Sequence, residues 1–157
     1  MNKEHHYSLT TEWTGNTGKG TINYMGYDRA FTVHCNDKSP LFGSSDPAFR
    51  GDKNKHNPEE LLVASISSCH MLWYLHLCAE AGIVVISYSD TAEGIMEETS
   101  NGGGRFKEVT LNPAVVVQRT DMIEKARQLH ARANELCFIA NSVNFVVSHV
   151  TAITSMD

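Results

Sequence analysis

The chain of 157 residues is 41% hydrophobic, 20% charged and 8% aromatic, with four cysteines and a formal charge of −5. That is one domain's worth of chain, able to remove roughly 70% of its unfolded surface from water without staples. The acidic excess leaves no basic footprint for nucleic acid or an anionic membrane surface.

The first ten residues carry Lys3, Glu4, His5 and His6 with no apolar run, so no secretory leader is expected. The compartment read from this is cytoplasmic and reducing, where cysteines serve as thiols, ligands or catalysts more often than as a disulfide framework. Residues 1–56 are predicted to form N-terminal strands and a loop. Gly15–Gly20 and Gly26-Tyr27-Asp28 punctuate an alternating stretch, predicting two or three antiparallel strands among Tyr7–Cys35, with Thr21–Met25 and Ala30–Cys35 as segments. Asn36–His56, cut by Pro40, Gly43, Pro47 and Gly51, reads as a surface loop with one short strand around Phe49.

Asn57-Pro58-Glu59-Glu60 is the sharpest local signal: an N-cap, a proline at the first helical position and a capping-box acid at N3. The predicted central helix occupies 57–82, ending at Ala81 with Gly82 as its left-handed C′ residue. Leu61–Ala79 contains no charged residue, so a membrane span has to be weighed. Ser65, Ser67, Ser68, His70 and His76 within it, and strand signals on both sides, favour a core helix. A helix apolar nearly all round needs cover on most sides, most simply from a second copy of the chain.

Residues 83–119 are predicted strands: Ile83–Tyr88, alternation to about Glu98, a turn at Asn101–Gly104, then Arg105–Leu111 and Ala114–Gln118, together a hairpin of long strands. Gly102–Gly104 lacks the lysine and helix of a phosphate loop and reads as turn chemistry. The second helix, 120–141, is expected to start at Thr120 or Asp121 with Glu124 capping it. Ile123, Ala126, Leu129, Ala133, Leu136 and Cys137 form its apolar stripe, and Lys125, Arg127, Arg132 and Glu135 face water. Residues 142–157 contribute a C-terminal strand, Val143–Ile153. The whole of 1–157 reads as a single α+β domain.

Cys69 and Cys78 are nine residues apart on one helix, about 13 Å and half a turn out of phase, so they cannot pair. Packing the two helices could bring Cys69 to Cys137 as a dithiol. Free cysteine is equally at home as a small buried hydrophobe, the reading given to Cys35 and Cys78. His34-Cys35, Cys69-His70 and His130 with Cys137 offer soft metal ligands, but no ligand-spaced pair is present, and helix neighbours point about 100° apart. No metal or bound cofactor is expected.

The run Asn57-Pro58-Glu59-Glu60-Leu61-Leu62, then Ser67-Ser68-Cys69, then Cys137 within Glu135-Leu136-Cys137-Phe138-Ile139-Ala140-Asn141-Ser142-Val143, resembles the OsmC/Ohr family of thiol-dependent hydroperoxide reductases, over nearly the whole chain. The resemblance implies antiparallel sheets around two central helices in an intertwined homodimer with interfacial active sites. It makes Cys69 similar to the peroxidatic cysteine and Cys137 to the resolving one. Oxidised Cys69 would condense with Cys137, and a dithiol or lipoylated protein would reopen the disulfide. It further implies organic hydroperoxides as small apolar substrates and a stress-defence role, while the charge balance and the polar residues within the helix leave neither nucleic acid nor membrane as an expected partner.

A cysteine buried mid-helix is inert unless a cation holds its thiolate, and the family uses an arginine braced by a glutamate. Glu59 matches that glutamate, although a helix-dipole acid is its plain alternative. Ten residues before Cys69, about 15 Å along the helix, it fits a partner's site better than its own. Arg50, in Phe49-Arg50-Gly51-Asp52, and Arg29, in Tyr27-Asp28-Arg29-Ala30, are the candidates for the arginine, with Arg50 preferred. Many relatives follow the resolving cysteine with proline, where this chain has Phe138. Phe138, Met71, Trp73 and Phe49 could wall an apolar pocket or be plain core. A small-ligand-binding protein without turnover, and a thiol hydrolase using His70 or His130 as base, are the alternative activities.

Overall fold

A computed structural model describes residues 3–157, which fall into two compact units, one reaching to Leu61 and one running from Leu62 to Asp157.

In the first unit, β1 (Thr10–Trp13), β2 (Phe31–His34) and β3 (Leu41–Gly43) make an antiparallel sheet in that order, with Thr11 opposite Val33 and Val33 opposite Leu41. The third strand is thus Leu41–Gly43 rather than a segment around Phe49. Phe49 closes a 3₁₀ turn, Pro47–Phe49, in which the Asp46 carboxylate accepts the Ala48 N–H at 2.7 Å. Thr21–Met25 is turn, not strand. Asn16 Oδ1 accepts the N–H groups of Gly18 and Gly20, and Asn23 Oδ1 accepts that of Met25, so asparagine side chains there take the donors a strand would need. Gly51 is obligatory, since a Cβ on it would stand 1.5 Å from the Ser45 carbonyl oxygen.

The predicted capping box opens α1 (Pro58–Glu80). Asn57 Oδ1 accepts the Glu60 N–H at 2.7 Å and Glu60 Oε2 accepts the Asn57 N–H at 3.2 Å. Gly82, at φ 71°, ends it as expected. By length and composition α1 is long and apolar enough to cross a membrane. Its buried edge, Ile66, His70, Tyr74 and Cys78 at four-residue spacing, is instead a wall of the second unit's core. The opposite side is left open, with Leu72 63% exposed.

The second unit continues with β4 (Val85–Asp90), β5 (Glu93–Glu98), β6 (Gly104–Leu111), β7 (Pro113–Val117), α2 (Ile123–Leu136), β8 (Val146–His149) and β9 (Ala152–Ser155). The expected long hairpin is divided between two sheets, β4-β7-β9 and β5-β6-β8. The Asp90 carboxylate accepts the Asn112 N–H at 2.7 Å, and the Asn112 amide donates to the Thr91 carbonyl at 2.8 Å, so side chains replace the ladder where it changes sheet. The single predicted strand Val143–Ile153 is likewise two strands, β8 and β9. They run parallel to β6 and β7 and break beside the same joint, where the Val150 N–H bonds the Leu111 carbonyl at 2.8 Å. The second unit's sheets are therefore mixed rather than wholly antiparallel, because α2 supplies the crossover that a parallel pair requires.

The second helix is shorter than 120–141. A 3₁₀ turn, Thr120–Met122, precedes it, Cys137 follows it in extended conformation, and a further turn covers Ala140–Ser142. Glu124 caps nothing, since Gln128 occupies its carboxylate at 3.1 Å while Asp157 Oδ1 takes the Thr120 N–H at 2.8 Å. The end is fixed by Asn141, whose amide donates to the orphan Glu135 carbonyl at 2.9 Å. Tyr74, Cys78, Val115, Val117, Ala126, Ala133 and Ile153 form the main core, and Ile66, Val109 and Leu111 a smaller one. Each large aliphatic group contributes about 1.5–3 kcal/mol by leaving water.

Candidate thiol site

All four cysteines are free. Cys137 is fully buried, and its thiol is pushed up to about 11 by burial first and by the adjacent Cys69 thiol second. The two thiols that the sequence left on separate helices are thus neighbours. Cys69 is only half-buried, within α1. Cys137 is held from the other side, where its Sγ accepts the Ala140 N–H at 3.4 Å. Trp73, one helical turn after Cys69, meets Phe138, the residue after Cys137, edge to face at 5.5 Å. These two of the four proposed pocket residues form an apolar wall beside the thiols. Cys78 is core and Cys35 partly exposed, its Sγ donating to the Ser8 carbonyl at 3.8 Å.

His70 and His130 face each other rather than a thiol. His70 Nε2 and His130 Nδ1 are 3.0 Å apart, both residues are wholly buried, and the rings are within 6° of parallel. Tyr74 stacks on His130 at 3.8 Å, and His149 lies 5.6 Å from His70 and 5.9 Å from His130, centroid to centroid. Burial pulls His70 down to about 4 and His130 down to about 3, with neighbouring histidines adding to it. Among the described residues, His70 Nδ1, His130 Nε2 and the Tyr88 hydroxyl have no hydrogen-bond partner. Imidazoles so placed are neither a thiol's base nor a metal cradle, and among the described residues no trio of His, Cys, Asp or Glu is arranged to hold a metal ion. The sequence carried one sign of the pair: His130 continues the stripe through Ala126 and Ala133.

Arg29, Arg50 and Glu59 belong to the first unit. Arg29 is committed within its own loop: its guanidinium donates to the carbonyls of Tyr27 and Tyr24, at 2.5 and 2.6 Å, and lies over both tyrosine rings at 4.1 and 4.4 Å. The Arg50 guanidinium has no hydrogen-bond or carboxylate partner among the described residues and lies 6.0 Å over the Tyr24 ring, while the residue's φ of 67° is left-handed, a strain uncommon outside glycine. Both arginines line one polar cavity of about 310 Å³ with Asp28, Asp52, Lys55 and Ser44. Glu59 stands in the first turn of α1.

The family model described as OsmC-like protein matches residues 51–151. A structure of an OsmC-like protein of unknown function from Vibrio cholerae superposes with a TM-score of 0.85 at 31% identity, over 94% of this chain and 99% of that one. An organic hydroperoxide resistance protein from Elizabethkingia anophelis gives 0.69 at 17% identity, over 99% of each chain. An organic hydroperoxide resistance protein OsmC from Legionella pneumophila gives 0.70 at 18%, over 98% of this chain and 99% of that one. No curated protein matches the chain.

Proposed function

This chain belongs to the OsmC-like protein family, and we propose that it is a thiol-dependent peroxidase that reduces organic hydroperoxides to alcohols in oxidative or osmotic stress defence. The observation that carries the proposal is the juxtaposition of two free thiols from different parts of the chain, Cys69 accessible and Cys137 buried. The Cys69 thiolate attacks the distal peroxide oxygen, the O–O bond breaks, the alkoxide leaves and takes a proton, and Cys69 becomes a sulfenic acid. Cys137 then attacks that sulfur. The S–S bond forms, the S–O bond breaks, and the hydroxyl departs with the Cys137 proton as water. A buried second thiol suits this order, because it meets no peroxide itself. A dithiol or lipoylated protein returns the disulfide to two thiols, becoming a disulfide in turn, so no bound cofactor is required.

Arg50 is the proposed cation that holds the Cys69 thiolate, braced by Glu59. What favours it over Arg29 is a guanidinium without a hydrogen-bond or carboxylate partner among the described residues, only a distant Tyr24 ring at 6.0 Å, and a strained backbone, against a guanidinium already satisfied by Tyr24 and Tyr27. The Trp73–Phe138 wall favours substrates with an apolar tail over hydrogen peroxide. The uncovered apolar side of α1, with Leu72 exposed, supports a homodimer in which each copy covers the other's helix. We place the protein in the cytoplasm, where four free thiols persist.

Mass spectrometry after treatment with tert-butyl hydroperoxide tests the chemistry. A Cys69–Cys137 disulfide should form in the native chain, a sulfenic or sulfinic Cys69 in Cys137→Ser, and nothing in Cys69→Ser. Absence of the disulfide from the native chain would sink the peroxidase reading and leave a small-ligand-binding protein of the same fold.

A further inference from the structure

We propose that the His70–His130 hydrogen bond is a clamp that fixes the spacing of α1 and α2 and so holds Cys69 and Cys137 in register for disulfide formation. Both histidines are positioning residues, and the inference rests on the peroxidase reading above.

Connectivity makes the case first. His70 follows Cys69 directly on α1, and His130, Ala133 and Cys137, all fully buried, follow one another at three- and four-residue spacing along one face of α2 and its end. The thiols and the imidazoles therefore bridge the same two segments, from adjacent positions on α1 and from positions about two turns apart along α2 and its end. Among the described residues the 3.0 Å contact is the only side-chain hydrogen bond joining α1 to α2.

Energetics makes it again. An apolar pair at these positions would satisfy the core more cheaply, because the present one leaves His70 Nδ1 and His130 Nε2 buried without partners among the described residues. What an N–H···N bond supplies that apolar packing does not is a fixed distance and direction. The surrounding rings deny it slack: Tyr74 covers one face of His130, and Tyr88 and His149 lean on it at 6.5 and 5.9 Å.

The clamp needs one imidazole nitrogen as donor and the other as acceptor, which a neutral pair supplies and a doubly protonated pair does not. Asp90 on β4 favours charge on His70. His149 on β8 opposes it at both histidines, as does Arg127 on α2 at His130. Tyr74 and Tyr88, both raised by burial, stay neutral. With both rings protonated the contact would set two donors against each other and open.

The chemistry divides into a step the clamp does not touch and one it does. Attack of Cys69 on the hydroperoxide needs no particular position of Cys137. Attack of Cys137 on the sulfenic acid requires both sulfurs in contact and aligned. When it is slow, a second hydroperoxide oxidises the sulfenic acid to sulfinic acid and leaves as alcohol.

His130→Phe keeps a ring of similar size and removes the bond. The pair His70→Gln with His130→Asn sets amide groups where Nε2 and Nδ1 stand and restores a donor and an acceptor. With tert-butyl hydroperoxide at neutral pH, rapid quenching and mass spectrometry should show sulfenic acid forming in His130→Phe within twofold of the native rate. Disulfide should form at least tenfold more slowly, with sulfinic Cys69 accumulating, and the amide pair should recover most of the loss. Native-rate disulfide formation in His130→Phe, equal loss of both steps, or no recovery by the amide pair overturns the clamp. Should the variants not fold, nitrogen-15 NMR of the histidine-labelled native protein should show through-bond coupling between His70 Nε2 and His130 Nδ1, and its absence overturns the clamp as well. Failure of the native chain to form the disulfide refutes the peroxidase reading instead, and the clamp falls with it.

Discussion

Acidification from pH 7 to pH 5 should remove several kcal/mol of stability, well before most carboxylates titrate. His70 and His130 bind their protons at about 4 and about 3 in the fold, against about 6.5 in an unfolded chain. The unfolded state therefore takes up protons first. The stability from keeping these imidazoles neutral is complete above pH 6.5 and falls as the pH drops below it, levelling off near pH 4 for His70 and pH 3 for His130. In that window each histidine contributes a slope of about 1.4 kcal/mol per pH unit, so at pH 5 the two together have lost about 4 kcal/mol, a large part of the 5–15 kcal/mol that holds a typical domain. Burial dominates both shifts, so salt should change the slope little. Urea unfolding followed by circular dichroism at pH 8, 7, 6 and 5 measures it directly. His130→Phe removes one of the two titrating groups and should roughly halve the slope between pH 6 and 5. A change below about 1 kcal/mol between pH 7 and 5, or an unaltered slope in the variant, would refute a buried neutral pair.

Gly51→Ala should be severely destabilising, because its Cβ would stand 1.5 Å from the Ser45 carbonyl oxygen and only backbone could move; a melting curve or loss of soluble protein reports it. Asn57→Ala removes the cap on Glu60 and should lower stability by about 1 kcal/mol in thermal melts, with hydroperoxide oxidation of Cys69 unchanged. Arg50→Gly relieves a left-handed residue and should leave stability within about 1 kcal/mol of native while slowing Cys69 oxidation at least tenfold; unaltered oxidation would move the cation's role to Arg29. Tyr88→Phe deletes a buried hydroxyl with no partner among the described residues, so the melting temperature should hold or rise.

Local chemistry was the most legible part of the fold. The capping box at Asn57 and the left-handed Gly82 delimit α1 within a residue, because both signals act through backbone groups a few positions away. The N-terminal turns were harder, since Thr21–Met25 has strand-like residues while asparagine side chains at 16 and 23 take up the backbone donors. The end of α2 at Leu136 and the break between β8 and β9 depend on groups distant in sequence: Asn141 reaching back to Glu135, and Val150 reaching Leu111 across the chain. At the site, spacing excluded a Cys69–Cys78 pair and allowed Cys69 with Cys137, but only tertiary packing set them side by side. The His70–His130 bond crosses 60 residues, and nothing in the spacing of two histidines announces that their nitrogens meet.

The matched breaks in β6–β7 and β8–β9 also bear on the order of folding. Thr110 and Ser148 are partners across 38 positions, and every rung of both parallel pairings spans a comparable loop. Closing such loops is entropically slow, so the hairpin of β5 and β6 can form early while β8 and β9 must wait for α2. During synthesis one edge each of β6 and β7 stays open until β8 and β9 emerge. A chain stalled or clipped just after α2 would thus hold both helices yet present two unpaired strand edges, a species prone to association before its sheets are complete.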